Sequence, residues 1–195
     1  AASVTTGSGG SFQMWDWQRS DAPQADRDYQ GPTWYSAFSR DGRIAVSSFD
    51  GRVRLYGLAG DRLQRLAVQQ APGGKEPAGL AFSPDEKILY VADSGAPKHI
   101  RRFAVAPDGT LSGGDVFCQI DVGGPDGIRV DQAGRVWSSA GDGVQIFSPA
   151  GKLIGKILVP EAPANLCFGG ADGTTLFMTA RTSLYAIPVS VAGAP

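Results

Sequence analysis

One short phrase recurs four times along the chain, and its spacing limits the folds that the chain can adopt. The four copies are WYSAFS from Trp34, AGLAFS from Ala78, DGIRVD from Asp126 and ANLCFG from Ala164. Successive copies lie roughly 40–50 residues apart, which is the spacing of blades in a β-propeller. We therefore predict that each copy is the inner strand of one blade, and that its first residue faces a common mouth.

Each copy is followed by alternating apolar runs that are separated by turns containing Asp or Gly. In the first repeat, the pairs Asp41-Gly42 and Asp50-Gly51 separate three runs, and a fourth run starts at Arg62. Alternation with Asp-Gly turns is typical of antiparallel hairpins, and four such strands make one blade. The predicted fold is therefore all-β, a small β-propeller of four four-stranded antiparallel blades.

The two ends of the chain determine how such a propeller closes. The last repeat has no obvious fourth strand, whereas residues 12–17 form a strand-like run outside the repeats. We predict that this N-terminal strand completes the last blade and closes the ring, because closure removes an exposed sheet edge. Two alternatives remain open: residues 3–17 form an incomplete fifth blade, or two chains associate into a larger ring. The polar segment 18–30 is interpreted as a surface loop.

The charge balance excludes several classes of partner. The 195 residues include 18 Lys and Arg and 19 Asp and Glu, so the formal net charge is −1. This balance provides no field that would attract nucleic acid or an anionic membrane, and no apolar run is long enough to span a bilayer. We expect one soluble domain over residues 1–195 with neither partner. Cys118 and Cys167 lack metal-type spacing, and both are predicted to be small buried hydrophobic residues.

From Leu80 onward the chain resembles the gluconolactonase/regucalcin family. The resemblance rests above all on GPDGIRVDQAGRVWSSAGDGVQIFSPAGKLIGKI and on CFGGADGTTLFMTA. It implies a relation to six-bladed, metal-dependent lactonases.

The first 79 residues have a different character. The strings SFQMWDW and RDGRIAVSSFDGRVRLYG resemble bacterial Trp-Asp-repeat propellers, which are usually interaction scaffolds. The two resemblances meet near the phrase FSPD. The single domain is therefore interpreted as a Trp-Asp-repeat-like part (1–79) joined to a gluconolactonase-like part (80–195), in a natural or an engineered chimera. A bacterial cytoplasm or periplasm is expected, and the sequence does not distinguish the two.

The family resemblance implies a divalent metal at the mouth, held by a Glu, an Asn and an Asp. Asp126, in the phrase GPDG, matches the family's Asp and is the candidate catalytic residue and metal ligand. Ala78 stands at the Asn position, and the region of the first-blade Glu is missing. Glu76, two residues before Ala78, is the second candidate ligand. We expect calcium or zinc to bind weakly, because so few carboxylates replace little of the ion's water shell.

Two further residues are candidates for contact with a substrate. Trp34 aligns at the mouth, where its ring can plug the channel or stack on a ligand. Asn165 lies one position past Ala164, beside the same mouth. His99 is the single histidine and is expected at the surface or the rim, so no Ser-His-Asp arrangement is predicted.

These residues support more than one function. The first is hydrolysis of a small lactone or related ester, with an incomplete and weak or inactive metal site. The alternative is a non-catalytic propeller that binds a protein partner or a second copy of itself, or a recombinant chimera. Asp126 favours the first function, whereas Ala78 and the missing Glu favour the others.

Overall fold

The computed structural model of the chain describes residues 2–7, 10–16, 23–71 and 76–194. Within these ranges all regular structure is β, and no helix that could cross a membrane is present. The strands in chain order are β1 (Ala2–Gly7), β2 (Ser11–Asp16), β3 (Gln24–Asp26), β4 (Thr33–Phe38), β5 (Ile44–Ser48), β6 (Arg52–Ala59), β7 (Arg62–Gln70), β8 (Pro77–Phe82), β9 (Ile88–Asp93), β10 (His99–Val105), β11 (Leu111–Gln119), β12 (Ile128–Val130), β13 (Val136–Ala140), β14 (Gly143–Phe147), β15 (Leu153–Leu158), β16 (Asn165–Gly169), β17 (Thr175–Thr179) and β18 (Leu184–Pro188).

The four sequence repeats fold as four antiparallel blades of a propeller, which confirms the predicted all-β fold. The first blade consists of β4–β7, the second of β8–β11, the third of β12–β15 and the fourth of β16–β18. Within each blade the strands pair in chain order. The recurring phrase forms the first strand of each blade, and these first strands pack against one another between neighbouring blades. The repeat therefore brings its four copies to the inside of the propeller.

The N-terminal residues form a sheet of their own instead of completing the fourth blade. Strand β2 pairs with β1 on one side and with β3 on the other. Among the described residues, none of these three strands pairs with β16–β18. The predicted closing role of residues 12–17 is therefore wrong, although Trp17 itself lies outside the described residues. The observed sheet agrees with the alternative in which residues 3–17 form an incomplete blade.

The packing of Phe12 explains this placement. Its side chain is completely buried and stacks on Tyr56 of the first blade, with the ring centroids 4.8 Å apart. Burying an aromatic side chain of this size contributes about 1.5–3 kcal/mol, so the N-terminal sheet is held by the first blade. Strand β3 also corrects the interpretation of segment 18–30 as a loop, because Gln24–Asp26 extends the sheet beyond β2.

In the described residues the hydrophobic core is divided into four clusters, each of which lies between two neighbouring sheets. Between the first and second blades, for example, Leu55, Leu89 and Phe103 are completely buried. Each sheet is consequently stabilised by the faces of its neighbours. In the described residues, the N-terminal sheet and the four blades therefore pack on one another in chain order.

Candidate functional site at the propeller mouth

Backbone hydrogen bonds fix the positions at which the recurring phrases begin. The amide of Gly79 donates to the carbonyl oxygen of Asp126 at 3.0 Å, and the amide of Gly127 donates to that of Ala164 at 2.8 Å. Each bond connects the inner strands of two neighbouring blades. The first residues of the phrases are therefore held by the main chain rather than by flexible loops.

A cavity of about 160 Å³ opens at this end of the inner strands. Its walls come from the first, second and third blades and from the segment that enters the second. The lining residues are Trp34, Phe49, Glu76, Pro77, Ala78, Ser94 and Asp126. The structure thus brings together three of the four candidate residues, namely Trp34, Glu76 and Asp126.

Two aromatic rings form an exposed wall of this cavity. The Trp34 side chain is 50% exposed and Phe49 is 39% exposed. Their rings meet edge to face, with centroids 4.6 Å apart and an interplanar angle of 83°. Large apolar rings that remain in contact with solvent at a cavity are a surface on which a ligand can stack.

Asp126 is a carboxylate that has no basic partner among the described residues. Its Oδ1 atom is fully buried and has no hydrogen-bond partner among the described residues. Burial raises the pKa of Asp126, while hydrogen bonds from Tyr35 and Trp34 partly offset that rise. The carboxyl group therefore accepts a proton more readily near neutral pH than an exposed aspartate does.

The other two candidates occupy different surroundings. Glu76 is exposed at the rim of the cavity, and its main-chain carbonyl accepts a hydrogen bond from the Ser94 amide at 3.2 Å. Asn165 is absent from the cavity lining, and its Oδ1 accepts a hydrogen bond from the Leu166 amide at 2.8 Å. The side chain lies close to the Gly127 backbone, where a Cβ would come within 2.3 Å of Oδ1. Substrate contact by Asn165 remains a prediction.

Phe49 and Ser94 line the cavity but were not predicted to do so from the sequence. Each follows the second strand of its blade, and strand pairing places the two residues at equivalent positions. The repeat therefore contains a second position that lines the mouth in the first two blades, namely the residue that follows the second strand. Tyr35 was also missed, because it faces Asp126 only once the first and third blades meet at the axis.

Two predictions about single residues outside the cavity are wrong. His99 is buried, with its Nε2 3.6 Å from Oδ2 of Asp93, because it begins a strand at the covered centre of the second blade. Arg101 donates to the same Nε2 at 2.9 Å, and burial together with this cation lowers the pKa of His99. Cys118 is buried as predicted, whereas Cys167 is exposed on the inner strand of the fourth blade.

The donor set at the mouth does not fit a metal site with three protein ligands. Glu76 and Asp126 are the carboxylates that line the cavity, and the methyl group of Ala78 offers no lone pair. In the described part of the chain, no group of three or more His, Cys, Asp or Glu residues is placed to hold a metal ion. Divalent cations need several oxygen ligands to replace their water.

The family model that describes the SMP-30/Gluconolactonase/LRE-like region matches residues 17–182 of this chain. A gluconolactonase of Zymomonas mobilis subsp. mobilis is 33% identical over 139 residues, which cover 66% of this chain and 39% of that protein. The chain therefore spans well under half of the length of this relative.

Solved structures agree with the observed fold. A gluconolactonase from Xanthomonas campestris matches with a TM-score of 0.78 and 29% identity, covering 96% of this chain and 68% of its own. A calcium-binding protein, regucalcin, from Agrobacterium tumefaciens gives a TM-score of 0.75 at 19% identity, covering 98% and 74% respectively. At that identity the second match shows the fold alone.

Proposed function

Because the chain belongs to the SMP-30/Gluconolactonase/LRE-like family, we propose that its mouth binds a small lactone or ester beside Asp126. We further propose that metal-dependent hydrolysis at this mouth is weak or absent. The observation that carries the proposal is that Asp126 lines the cavity while its buried Oδ1 atom has no hydrogen-bond partner among the described residues. The name of the Zymomonas relative supports a lactone as the substrate class.

Asp126 is suited to act as a general base. Its carboxylate takes a proton from a water molecule while the water oxygen forms a bond to the carbonyl carbon of the ester. The acyl carbon–oxygen bond then breaks, and the leaving oxygen takes up the proton that Asp126 accepted, which gives a hydroxyl group and a carboxylic acid and restores the Asp126 carboxylate. Within the described part of the chain, the cavity lining contains no lysine or arginine that would stabilise the oxyanion, so we expect this reaction to be slow.

The family also implies a divalent metal, and calcium or zinc remains the candidate ion. Asp126 and Glu76 are the proposed ligands, and in the described residues no third His, Cys, Asp or Glu side chain joins them to hold an ion. We therefore assign no step of the reaction to a metal. Any affinity that two carboxylates provide is expected to be weak.

Titration calorimetry with calcium and zinc, together with a gluconolactone hydrolysis assay, tests this proposal. We expect no micromolar metal binding and no more than a small increase of the hydrolysis rate over buffer, with that increase removed by Asp126→Asn. Micromolar metal binding that Asp126→Ala abolishes would contradict the weak-site proposal. A hydrolysis rate that Asp126→Asn leaves unchanged would contradict the role of Asp126.

Ala78→Asn provides the matched gain-of-ligand variant. An amide oxygen at this position adds one donor next to Asp126, so calcium affinity is expected to rise about tenfold. An unchanged affinity would show that positions 78 and 126 do not converge on one ion.

A non-catalytic interaction propeller is the second candidate function. It is favoured by the exposed apolar side chains on the outer strands of the last two blades, where Leu158 is 71% exposed and Leu184 is 66% exposed. The Trp-Asp-repeat-like character of residues 1–79 and a chimeric origin belong to this proposal. Light scattering is expected to reveal a dimer that Leu158→Lys dissociates. A monomer at all concentrations would contradict self-association.

A further inference from the structure

We propose that the cavity between Trp34, Phe49, Glu76 and Asp126 binds a small organic ammonium ion. The ligand or ester recognised at this mouth would then carry a quaternary or tertiary amine. This inference shares one premise with the proposed function, namely that a small molecule binds beside Asp126. It specifies the charge of that molecule, which the family relation does not.

The charges around the cavity favour a cation. Glu76 and Asp126 both line it, and among the residues that the structure describes no lysine or arginine lines it. No basic group among the described residues acts on the Asp126 carboxylate, whose only stabilising contacts are hydrogen bonds from Tyr35 and Trp34. A partly buried charge without a counter-ion is unfavourable, so a bound cation would supply the missing compensation.

The aromatic wall favours an organic cation in particular. Trp34 and Phe49 are in direct contact and remain 50% and 39% exposed beside the two carboxylates. The faces of such rings attract ammonium groups, and tryptophan attracts them most strongly. Methyl or methylene groups on the nitrogen would also cover the apolar ring surface that now faces solvent.

The same residues disfavour a bare metal ion. Calcium takes six to eight oxygen ligands, whereas the side chains of Trp34 and Phe49 contain no oxygen atom. The cavity of about 160 Å³ is also several times larger than the roughly 30 Å³ share of one water molecule. A tetra-alkylammonium group fits these dimensions and this chemistry better than a dehydrated divalent ion does.

Titration of the full chain with choline and with 3,3-dimethyl-1-butanol tests the proposal. The alcohol has the shape of choline but carries no charge, so we expect choline to bind at least tenfold more tightly. Trp34→Leu and Phe49→Leu should each weaken choline binding by roughly 3- to 30-fold, and Asp126→Asn should weaken it by about tenfold. Trp15→Leu is the matched control, because Trp15 is similarly exposed at 41% but lies in the N-terminal sheet.

Several outcomes would overturn the proposal: no choline binding at millimolar concentration, equal affinity for the uncharged alcohol, or an equal effect of Trp15→Leu and Trp34→Leu. If thermal melting shows that Trp34→Leu does not fold, Phe49→Leu carries the test, since Phe49 lies outside the strands.

A gluconolactone arm separates this proposal from the proposed function. Choline binding without any gluconolactone binding or hydrolysis supports the ammonium site and contradicts the sugar-lactone assignment. If gluconolactone binds, and choline neither binds nor displaces it, the ammonium site is contradicted and the proposed function is not.

Discussion

Replacing Asp50 by alanine is expected to lower the free energy of unfolding by about 3–5 kcal/mol, because it leaves a buried guanidinium without its counter-ion. The side chains of Arg54 and Asp50 are 1% and 2% exposed, and Nη2 of Arg54 donates to Oδ2 of Asp50 at 2.6 Å. The Arg54 guanidinium also lies 3.9 Å from the centroid of the Tyr29 ring. Denaturant unfolding of the variant measures the loss.

The control for this variant is Asp115→Ala at an exposed position of the second blade, where we expect a change below about 0.5 kcal/mol. The double variant Asp50→Ala/Arg54→Met should be less destabilised than the sum of its single changes, because no unpaired charge remains. Strict additivity would show that the two side chains do not stabilise each other.

The same pair predicts a pH dependence with a definite sign. Burial opposes ionisation of Asp50, but hydrogen bonds from Arg54 and Ser48 outweigh it and hold its pKa at about 2. An unfolded aspartate has a pKa near 3.9, so the stabilisation is complete above that value and is lost as the pH falls towards 2. Asp50→Ala should therefore reduce the slope of stability against pH between about pH 4 and pH 2.

Gly79→Ala is expected to destabilise the protein by about 3 kcal/mol and to abolish ligand binding at the mouth. A Cβ at this position would lie 2.1 Å from the carbonyl oxygen of Asp126, and the Gly79 amide donates to that same oxygen. The clash involves two main chains, so no side-chain rotation relieves it. The inner strands of the second and third blades would have to separate, and Asp126 would move with them.

Gly155→Ala is the matched control for this substitution. Gly155 also lies in a strand, its φ is not positive, and the nearest atom to a new Cβ is Cδ1 of Ile146 at an ordinary 3.7 Å. We expect its melting temperature and its ligand affinity to stay close to those of the parent chain. Equal damage from the two alanines would show that the contact with Asp126 does not explain the effect of Gly79→Ala.

The repeat period was sufficient to predict the blades, because each phrase carries the alternation of an inner strand and is followed by Asp or Gly turns. It was insufficient for the N-terminal strand, whose alternation is compatible with any sheet edge. The partner of that strand was decided by the contact of Phe12 with Tyr56, a long-range packing term that a local pattern does not contain.

The candidate site was predicted unevenly for a similar reason. Trp34, Glu76 and Asp126 share one cavity because backbone register repeats from blade to blade. Asp50 appeared to be an ordinary turn residue in an Asp-Gly pair, yet its side chain is buried by Arg54. Such ion pairs depend on the exact depth of two side chains, which residue type and spacing do not specify.

The division of the core into separate clusters affects how the protein can change over time. The described residues that line the cavity come from the first three blades and the segment between two of them, while each sheet depends mainly on its immediate neighbours. Stability in such a series is approximately a sum of local terms. Mutations in the N-terminal sheet or the outer strands of the fourth blade can therefore accumulate with little effect on ligand recognition. The start of the inner strand of the fourth blade is the exception, because the Ala164 carbonyl holds Gly127 next to Asp126.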